Sequence, residues 1–236
     1  MTSDGAGRPW FMLLEHKHAV IYGGGAIATA VATAFEREGA TVHAPTHAEV
    51  DALDERAVDE HAASLPRIDI SFNLISHGVV QGTPMIDLAV EDYAGPVERQ
   101  VRTHFLTARA AARRMIEQGS GGVLLFFGGE GDPPRGFHLG ALQTGFQAVE
   151  AMRRQLAVEL AQHGIRTVTL RTSGIAESLP QMEGREEIAK SLDESTLLGR
   201  AATLEDVGHA AVFAASDRAR SMTGATLNVS VGALLD

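Results

Sequence analysis

One short stretch near the N-terminus indicates the fold of the whole chain. Its sequence is Ala19-Val20-Ile21-Tyr22-Gly23-Gly24-Gly25-Ala26-Ile27-Ala28. Its first four residues are apolar, as in a buried β-strand, and the three glycines mark a tight turn. From Ala26 to Glu38 the apolar residues return every three to four positions, which predicts a helix with one buried side. Gly39 follows where a helix C-cap is expected. The stretch therefore predicts the strand–turn–helix start of an α/β unit.

The same alternation of short apolar runs and amphipathic segments continues to the end of the chain. Further strands are predicted at Thr41–Ala44, Ile68–Ile75, Val123–Phe127, Ile165–Arg171 and Ala225–Val229. Further helices are predicted at Leu53–Leu65, Val97–Gln118, Leu139–His163 and Glu205–Ala215. Strands that alternate with helices require right-handed crossovers and a mainly parallel sheet with helices on both faces. The expected fold is a Rossmann-like, doubly wound α/β fold.

The amino-acid composition limits the kinds of partner that this protein is expected to bind. The chain has 236 residues, a net charge of −10 and no cysteine, so disulfides and thiolate metal sites are excluded. Basic residues cluster only in short groups such as Arg113-Arg114, which makes nucleic acid an unsuitable partner. The apolar run Trp10–Leu14 is too short to span a membrane. We expect a flexible tail over residues 1–10, one domain over residues 11–236, and a cytoplasmic location without a membrane or metal partner.

The glycine turn has the spacing G-x-G-x-x-A between a strand and a helix. In that context glycines let backbone N–H groups approach a diphosphate, and the helix N-terminus favours its negative charge. The candidate cofactor-binding residues are therefore Gly23, Gly25, Ala26 and Ile27. The alternative is a tight turn that binds nothing.

Segments near the C-terminus carry a family resemblance. They are Leu198-Gly199-Arg200, Leu204-Glu205-Asp206-Val207, and Met222-Thr223-Gly224 before Leu227-Asn228-Val229. With the glycine turn, their order and spacing resemble the short-chain dehydrogenase/reductase family from about Leu14 to the C-terminus. The resemblance implies a small-molecule substrate, a nicotinamide cofactor and a homo-oligomer, either a dimer or a tetramer. It also implies that Asp51 lies near the adenine and that Asn73 supports the cofactor.

The chain departs from the family at its cofactor positions. Its glycine turn is one residue shorter than the family's, with alanine at two glycine positions. After the second predicted strand the chain has Ala44-Pro45-Thr46-His47, without the acid that binds the NAD ribose or the Arg that binds the NADP phosphate. These departures from the family pattern imply that NAD(P) binding is weakened, or that no cofactor binds.

The departures extend to the family's catalytic Ser and its Y-x-x-x-K motif. If Ala148-Val149-Glu150-Ala151 sets the register, Leu142 stands at the Tyr position and Phe146 at the Lys position. The Ser position falls at Gly129, and the supporting Asn falls near Gln100. Neither Leu nor Phe can transfer a proton, so the family's carbonyl–alcohol mechanism is closed to these residues.

Three other side chains are candidates for acid–base chemistry near the carboxyl ends of the strands. Glu130 and His138 belong to the polar loop after Val123–Phe127, and His77 follows Ile68–Ile75. An imidazole can exchange a proton near neutral pH, and a partly desolvated carboxylate can act as a base. The alternative is that the loop is simply solvated.

These residues favour an enzyme that keeps the fold but performs proton transfer on a small, fairly apolar molecule. Isomerisation, dehydration and cyclisation are reactions of that kind, and Phe126, Phe127 and Phe137 could line the apolar pocket. A second hypothesis is an NAD(P)H-dependent oxidoreductase in which His138 or water supplies the proton. A third is a non-catalytic subunit or binding protein.

Overall fold

The structure is a computed structural model that describes residues 12–128 and 137–235. The predicted tail, residues 1–10, and the candidates Gly129 and Glu130 lie outside these ranges. The strands are β1 His18–Tyr22, β2 Thr41–His43, β3 Ile70–Asn73, β4 Gly122–Gly128, β5 Ile165–Arg171 and β6 Ala225–Asn228. The α-helices are α1 Ala26–Arg37, α2 Glu55–Ser64, α3 Val90–Gln118, α4 Gly140–Leu160, α5 Arg185–Glu194 and α6 Leu204–Ala215.

The six strands form one sheet in the order β2-β1-β3-β4-β5-β6. Each neighbouring pair is parallel. The chain order reverses at β1, which lies between β2 and β3, and ligands of such sheets bind outside the carboxyl ends of the strands at this point. The predicted Rossmann-like fold is confirmed, and the glycine turn lies at the reversal.

Two hydrophobic cores hold helices against the two faces of the sheet. On one face, Val31 and Phe35 of α1 pack with Phe72 of β3 and with residues of α6. On the other face, Met115 of α3 packs with Phe126 of β4 and with residues of α2 and α4. Because side chains alternate along each strand, neighbouring strand residues supply opposite cores.

The predicted elements miss α5 entirely and misplace the start of α3. The helix begins at Val90, seven residues before the predicted start, and it continues through Pro96. A proline inside a helix removes one backbone hydrogen bond, which makes it a natural predicted boundary. Here Pro96 is buried, and Glu91 and Asp92 complement the positive end of the helix. In the described part of the chain, no helix combines the length and apolarity needed to cross a membrane.

Candidate functional site

The turn after β1 contains one glycine that the fold itself requires. Gly23 has a φ of +133°, and a Cβ there would lie 2.5 Å from the carbonyl oxygen of Leu74. Leu74 donates its own N–H to the carbonyl of Tyr22 at 2.7 Å, which holds the two strand ends together. Only glycine fits such a position without shifting the backbone of its neighbour.

Gly24 and Gly25 differ from Gly23, because a Cβ at either position would meet nothing within 4 Å. Gly25 is the N-cap of α1 and provides no side-chain cap. Ala26 is exposed, and Ile27 is half-buried against the core. The result is an open surface of small residues at the positive end of a 12-residue helix. This surface fits a diphosphate, which such helix ends bind through their free N–H groups.

The segment after β2 satisfies its polar groups locally. Thr46 donates to the carboxylate of Glu49 from both its N–H, at 2.8 Å, and its Oγ1, at 2.9 Å. Asp51 accepts the N–H of Leu53 at 2.9 Å, and the Nδ1 atom of His47 lies 3.9 Å from the same carboxylate oxygen. The Asp51 side chain is half exposed, so part of its carboxylate remains accessible to a ligand.

Asn73 is buried at the carboxyl end of β3 and is fully engaged in the fold. Its Oδ1 accepts the N–H of Ile75 at 3.0 Å, and its Nδ2 donates to Thr107 Oγ1 at 3.2 Å. These bonds tie the loop after β3 to α3. Asn73 therefore shapes the backbone that faces Gly23 and does not project into the open turn.

His77 packs against α3, where it is a poor proton donor at neutral pH. Its Nε2 lies 3.4 Å from Thr103 Oγ1, and Arg99 donates to its backbone carbonyl at 3.1 Å. Burial and then the charge of Arg99 lower the pKa of His77 to about 4. The lowered pKa favours the neutral ring near pH 7, in which one ring nitrogen donates and the other accepts a hydrogen bond.

His104 is a second buried histidine beside His77, which the sequence prediction missed. Its ring stacks on Phe126, and its Nδ1 lies 2.9 Å from the carbonyl of Gln100. Within the described residues its Nε2 has no hydrogen-bond partner. Burial lowers its pKa to about 4. Its only sequence signal is a histidine among the apolar positions of a long helix.

The start of α4 carries the residues predicted to replace the family's motif. Leu142 and Phe146 are both half-buried. Thr144, between them, lies 2.9 Å from the hydroxyl of Tyr93 and donates to the carbonyl of Gly140. Tyr93 thus bridges α3 and α4 and was not among the predicted site residues.

His138 lies just before α4, with an exposed side chain and a φ of +50°. The structure therefore brings Gly23, Gly25 and Asn73 to one edge of the sheet. It packs His77, in the loop after β3, against α3. It leaves His138 in contact with solvent at the start of α4.

The fold and the glycine turn define a Rossmann-type class of nucleotide-binding proteins. A family model described as enoyl-(acyl carrier protein) reductase matches residues 44–233. The chain belongs to the short-chain dehydrogenase/reductase family.

Individual relatives agree with this assignment. L-rhamnose 1-dehydrogenase (NAD(P)(+)) of Azotobacter vinelandii is 29% identical over 75% of this chain and 69% of that protein. (+)-Borneol dehydrogenase 2 of Salvia officinalis is 30% identical over 79% of this chain and 70% of its own length. The crystal structure of a short-chain type dehydrogenase/reductase from Mycobacterium marinum superposes with a TM-score of 0.81 at 25% identity, covering 96% of this chain and 98% of the other.

The comparisons overturn the proton-transfer hypothesis. The relatives are named as dehydrogenases and reductases, so an isomerase, dehydratase or cyclase is the wrong class for this chain. The role of His77 as an acid or base stays a prediction, although partial burial and the charge of Arg99 lower its pKa to about 4.

Proposed function

We propose that this protein is an NAD(P)-dependent oxidoreductase that acts on a small molecule. The observation that carries the proposal is the open surface at Gly24, Gly25 and the start of α1, where a Cβ would meet nothing. The name of the Azotobacter relative, which includes NAD(P)(+), supports the same cofactor. The required backbone at Gly23 supports it further, since it holds the turn open beside β3.

The diphosphate and the adenine side of the dinucleotide each have residues suited to them. The backbone N–H groups from Gly25 to Ile27 would hold the diphosphate, and Asp51 would lie on the adenine side. When bound, a nicotinamide cofactor supplies or accepts a hydride. The segment Ala44-Pro45-Thr46-His47 contains no Asp, Glu, Lys or Arg that could bind the ribose or its phosphate. Losing a charged contact there would weaken binding by about tenfold to a hundredfold.

The proton comes from a group other than the family's Tyr. Leu142 and Phe146, which we place at the Tyr and Lys positions, have no ionisable group. The neutral His77 is unsuitable near pH 7. His138, whose side chain is exposed, or a water molecule would supply the proton. Reduction of a conjugated C=C bond places a smaller demand on a proton donor than carbonyl reduction, which favours that reaction class.

Calorimetric titration of the full chain with NADPH and with NADH tests the proposal. We expect saturable binding of at least one of them, with a dissociation constant in the micromolar to millimolar range. A matched titration with ATP serves as the control for nonspecific binding of a phosphate chain. Absence of binding by both nicotinamide cofactors at millimolar concentration would overturn the proposal. Assembly into a dimer or tetramer and a cytoplasmic location stay predictions.

A further inference from the structure

We propose that an internal water molecule, bound to the Nε2 atom of His104, links α3 to the sheet. Its site is a small cavity between α3, β3 and β4. The inference goes beyond the proposed function and does not depend on a cofactor, because it concerns the interior of the fold.

The cavity has a lining of both polar and apolar side chains. Its polar members are each no more than 4% exposed, and they are Ser71 and Asn73 of β3 with His104 and Thr107 of α3. The space has room for about one water molecule. A cavity of this size holds water when it offers two to four polar partners, whereas a purely apolar cavity stays dry.

The hydrogen bond at one ring nitrogen of His104 fixes the state of the other. Nδ1 lies 2.9 Å from the carbonyl oxygen of Gln100, and a carbonyl oxygen can only accept. Nδ1 therefore carries the hydrogen. Burial lowers the pKa of His104 to about 4, so the ring is neutral near pH 7. In that state Nε2 carries a lone pair and requires a donor.

The orientation of the ring directs Nε2 towards the cavity. Gln100 lies one turn before His104 on α3, so the bond at Nδ1 turns that side of the ring towards the start of the helix. Nε2, on the far side of the ring, points towards the next turn, where Thr107 and Ala108 line the cavity. Nε2 is buried, and among the described residues nothing is hydrogen-bonded to it.

The polar side chains nearest to His104 already have other partners. The ring centre of His77 is 6.3 Å from that of His104, and its Nε2 lies 3.4 Å from Thr103 Oγ1. Thr107 donates its hydroxyl hydrogen to the carbonyl of Thr103 at 2.8 Å, and Asn73 donates to Thr107 Oγ1 at 3.2 Å. Because a buried acceptor without a donor is destabilising, a water molecule that donates to Nε2 would stabilise the fold.

A water molecule in this cavity has enough partners to be held firmly. One of its hydrogens would go to Nε2 of His104 and the other to the hydroxyl oxygen of Thr107, while the hydroxyl of Ser71 would donate to its oxygen. Three hydrogen bonds are typical of a buried water molecule. Since Ser71 belongs to β3 and His104 to α3, these bonds join the helix to the sheet beside Asn73.

A high-resolution crystal structure and NMR spectra of the full chain test this inference. We expect one water peak in the cavity, within about 3.2 Å of Nε2 of His104. In NMR spectra of the protein with isotope-labelled histidine, recorded at neutral pH, the ring hydrogen of His104 should lie on Nδ1. A ring hydrogen on Nε2, a protein donor bonded directly to Nε2, or a dry cavity would each overturn the inference.

The variants His104→Leu and His77→Leu show whether the water molecule depends on this one ring. Leucine at position 104 removes the acceptor, so the water peak should be lost. Leucine at position 77 changes a neighbouring ring that does not line the cavity, so the water peak should remain. Retention of the water in a folded His104→Leu protein, or its loss in both variants, contradicts the inference. If His104→Leu does not fold, the crystal structure and spectra of the unmodified protein decide alone.

Discussion

Two glycines of the turn after β1 respond in opposite ways to a methyl group. At Gly23 the φ of +133° and the carbonyl of Leu74 both exclude a Cβ, whereas at Gly25 the space is open. We expect Gly23→Ala to destabilise the fold by about 2 kcal/mol or more, through strain and a backbone clash. Gly25→Ala should change stability by less than about 1 kcal/mol but lower NAD(P)H affinity, because its methyl enters the surface proposed for the diphosphate.

Thermal unfolding and calorimetric titration of the two variants separate these effects. If Gly23→Ala were as stable as the unmodified protein, the steric account of the turn would be wrong. Unchanged NAD(P)H affinity in a stable Gly25→Ala variant would argue against the diphosphate site at the start of α1.

At the scale of single elements, α6 illustrates a helix whose start is specified by a local motif. Thr203 Oγ1 accepts the N–H of Asp206 at 3.1 Å, and the Asp206 carboxylate accepts the N–H of Thr203 at 2.9 Å. This reciprocal pair is a capping box. Arg200 binds the same carboxylate and lowers the pKa of Asp206 to about 2, so the motif keeps its charge in mild acid.

We expect Thr203→Ala to lower the free energy of unfolding by about 1 kcal/mol, because the first N–H groups of α6 lose their acceptor. Thr203→Ser keeps the hydroxyl and is the matched control. Urea denaturation of both variants measures the difference. A serine variant as unstable as the alanine variant would mean that the methyl group of Thr203, rather than its hydroxyl, matters.

The elements of this chain were predictable to the extent that their signals are local. The start of α1 follows from neighbouring residues, namely an apolar strand, three glycines and a helical period. The start of α3 was misplaced because Pro96 suggests a boundary, whereas the folded protein buries this proline within a continuous helix. Burial depends on distant segments and leaves no signal beside the proline.

For the molecule as a whole, two histidines link stability to pH, namely the buried His104 on α3 and the half-buried His77 beside it. Burial holds the pKa of His77 and of His104 at about 4, whereas in the unfolded chain a histidine titrates near 6.5. Between these values the unfolded state binds more protons than the native state, so stability falls as the pH falls from about 6.5 towards 4. For the fully buried His104 the loss reaches roughly 3 kcal/mol at the acid end of this range.

We expect His104→Asn to reduce the slope of unfolding free energy against pH between about pH 6.5 and 4. The exposed His209 provides the control, since His209→Asn removes a histidine without a buried environment. Urea denaturation at a series of pH values measures the slopes. Equal slopes in the unmodified protein and in His104→Asn would show that His104 takes up its proton in the native state as readily as in the unfolded chain.

The order of strands and helices, the glycine turn and the family membership could all be inferred from the chain, because each rests on residues that are close in sequence. The placement of Leu142 and Phe146 at the family's Tyr and Lys positions also rests on neighbouring residues, and it stays a prediction. Only the tertiary structure showed that His77 packs against Thr103 of α3 and that the side chain of Asn73 is hydrogen-bonded to Ile75 and Thr107. Those properties arise from burial and from contacts between segments far apart in the chain, and such contacts exist only once the sheet and its helices have packed together.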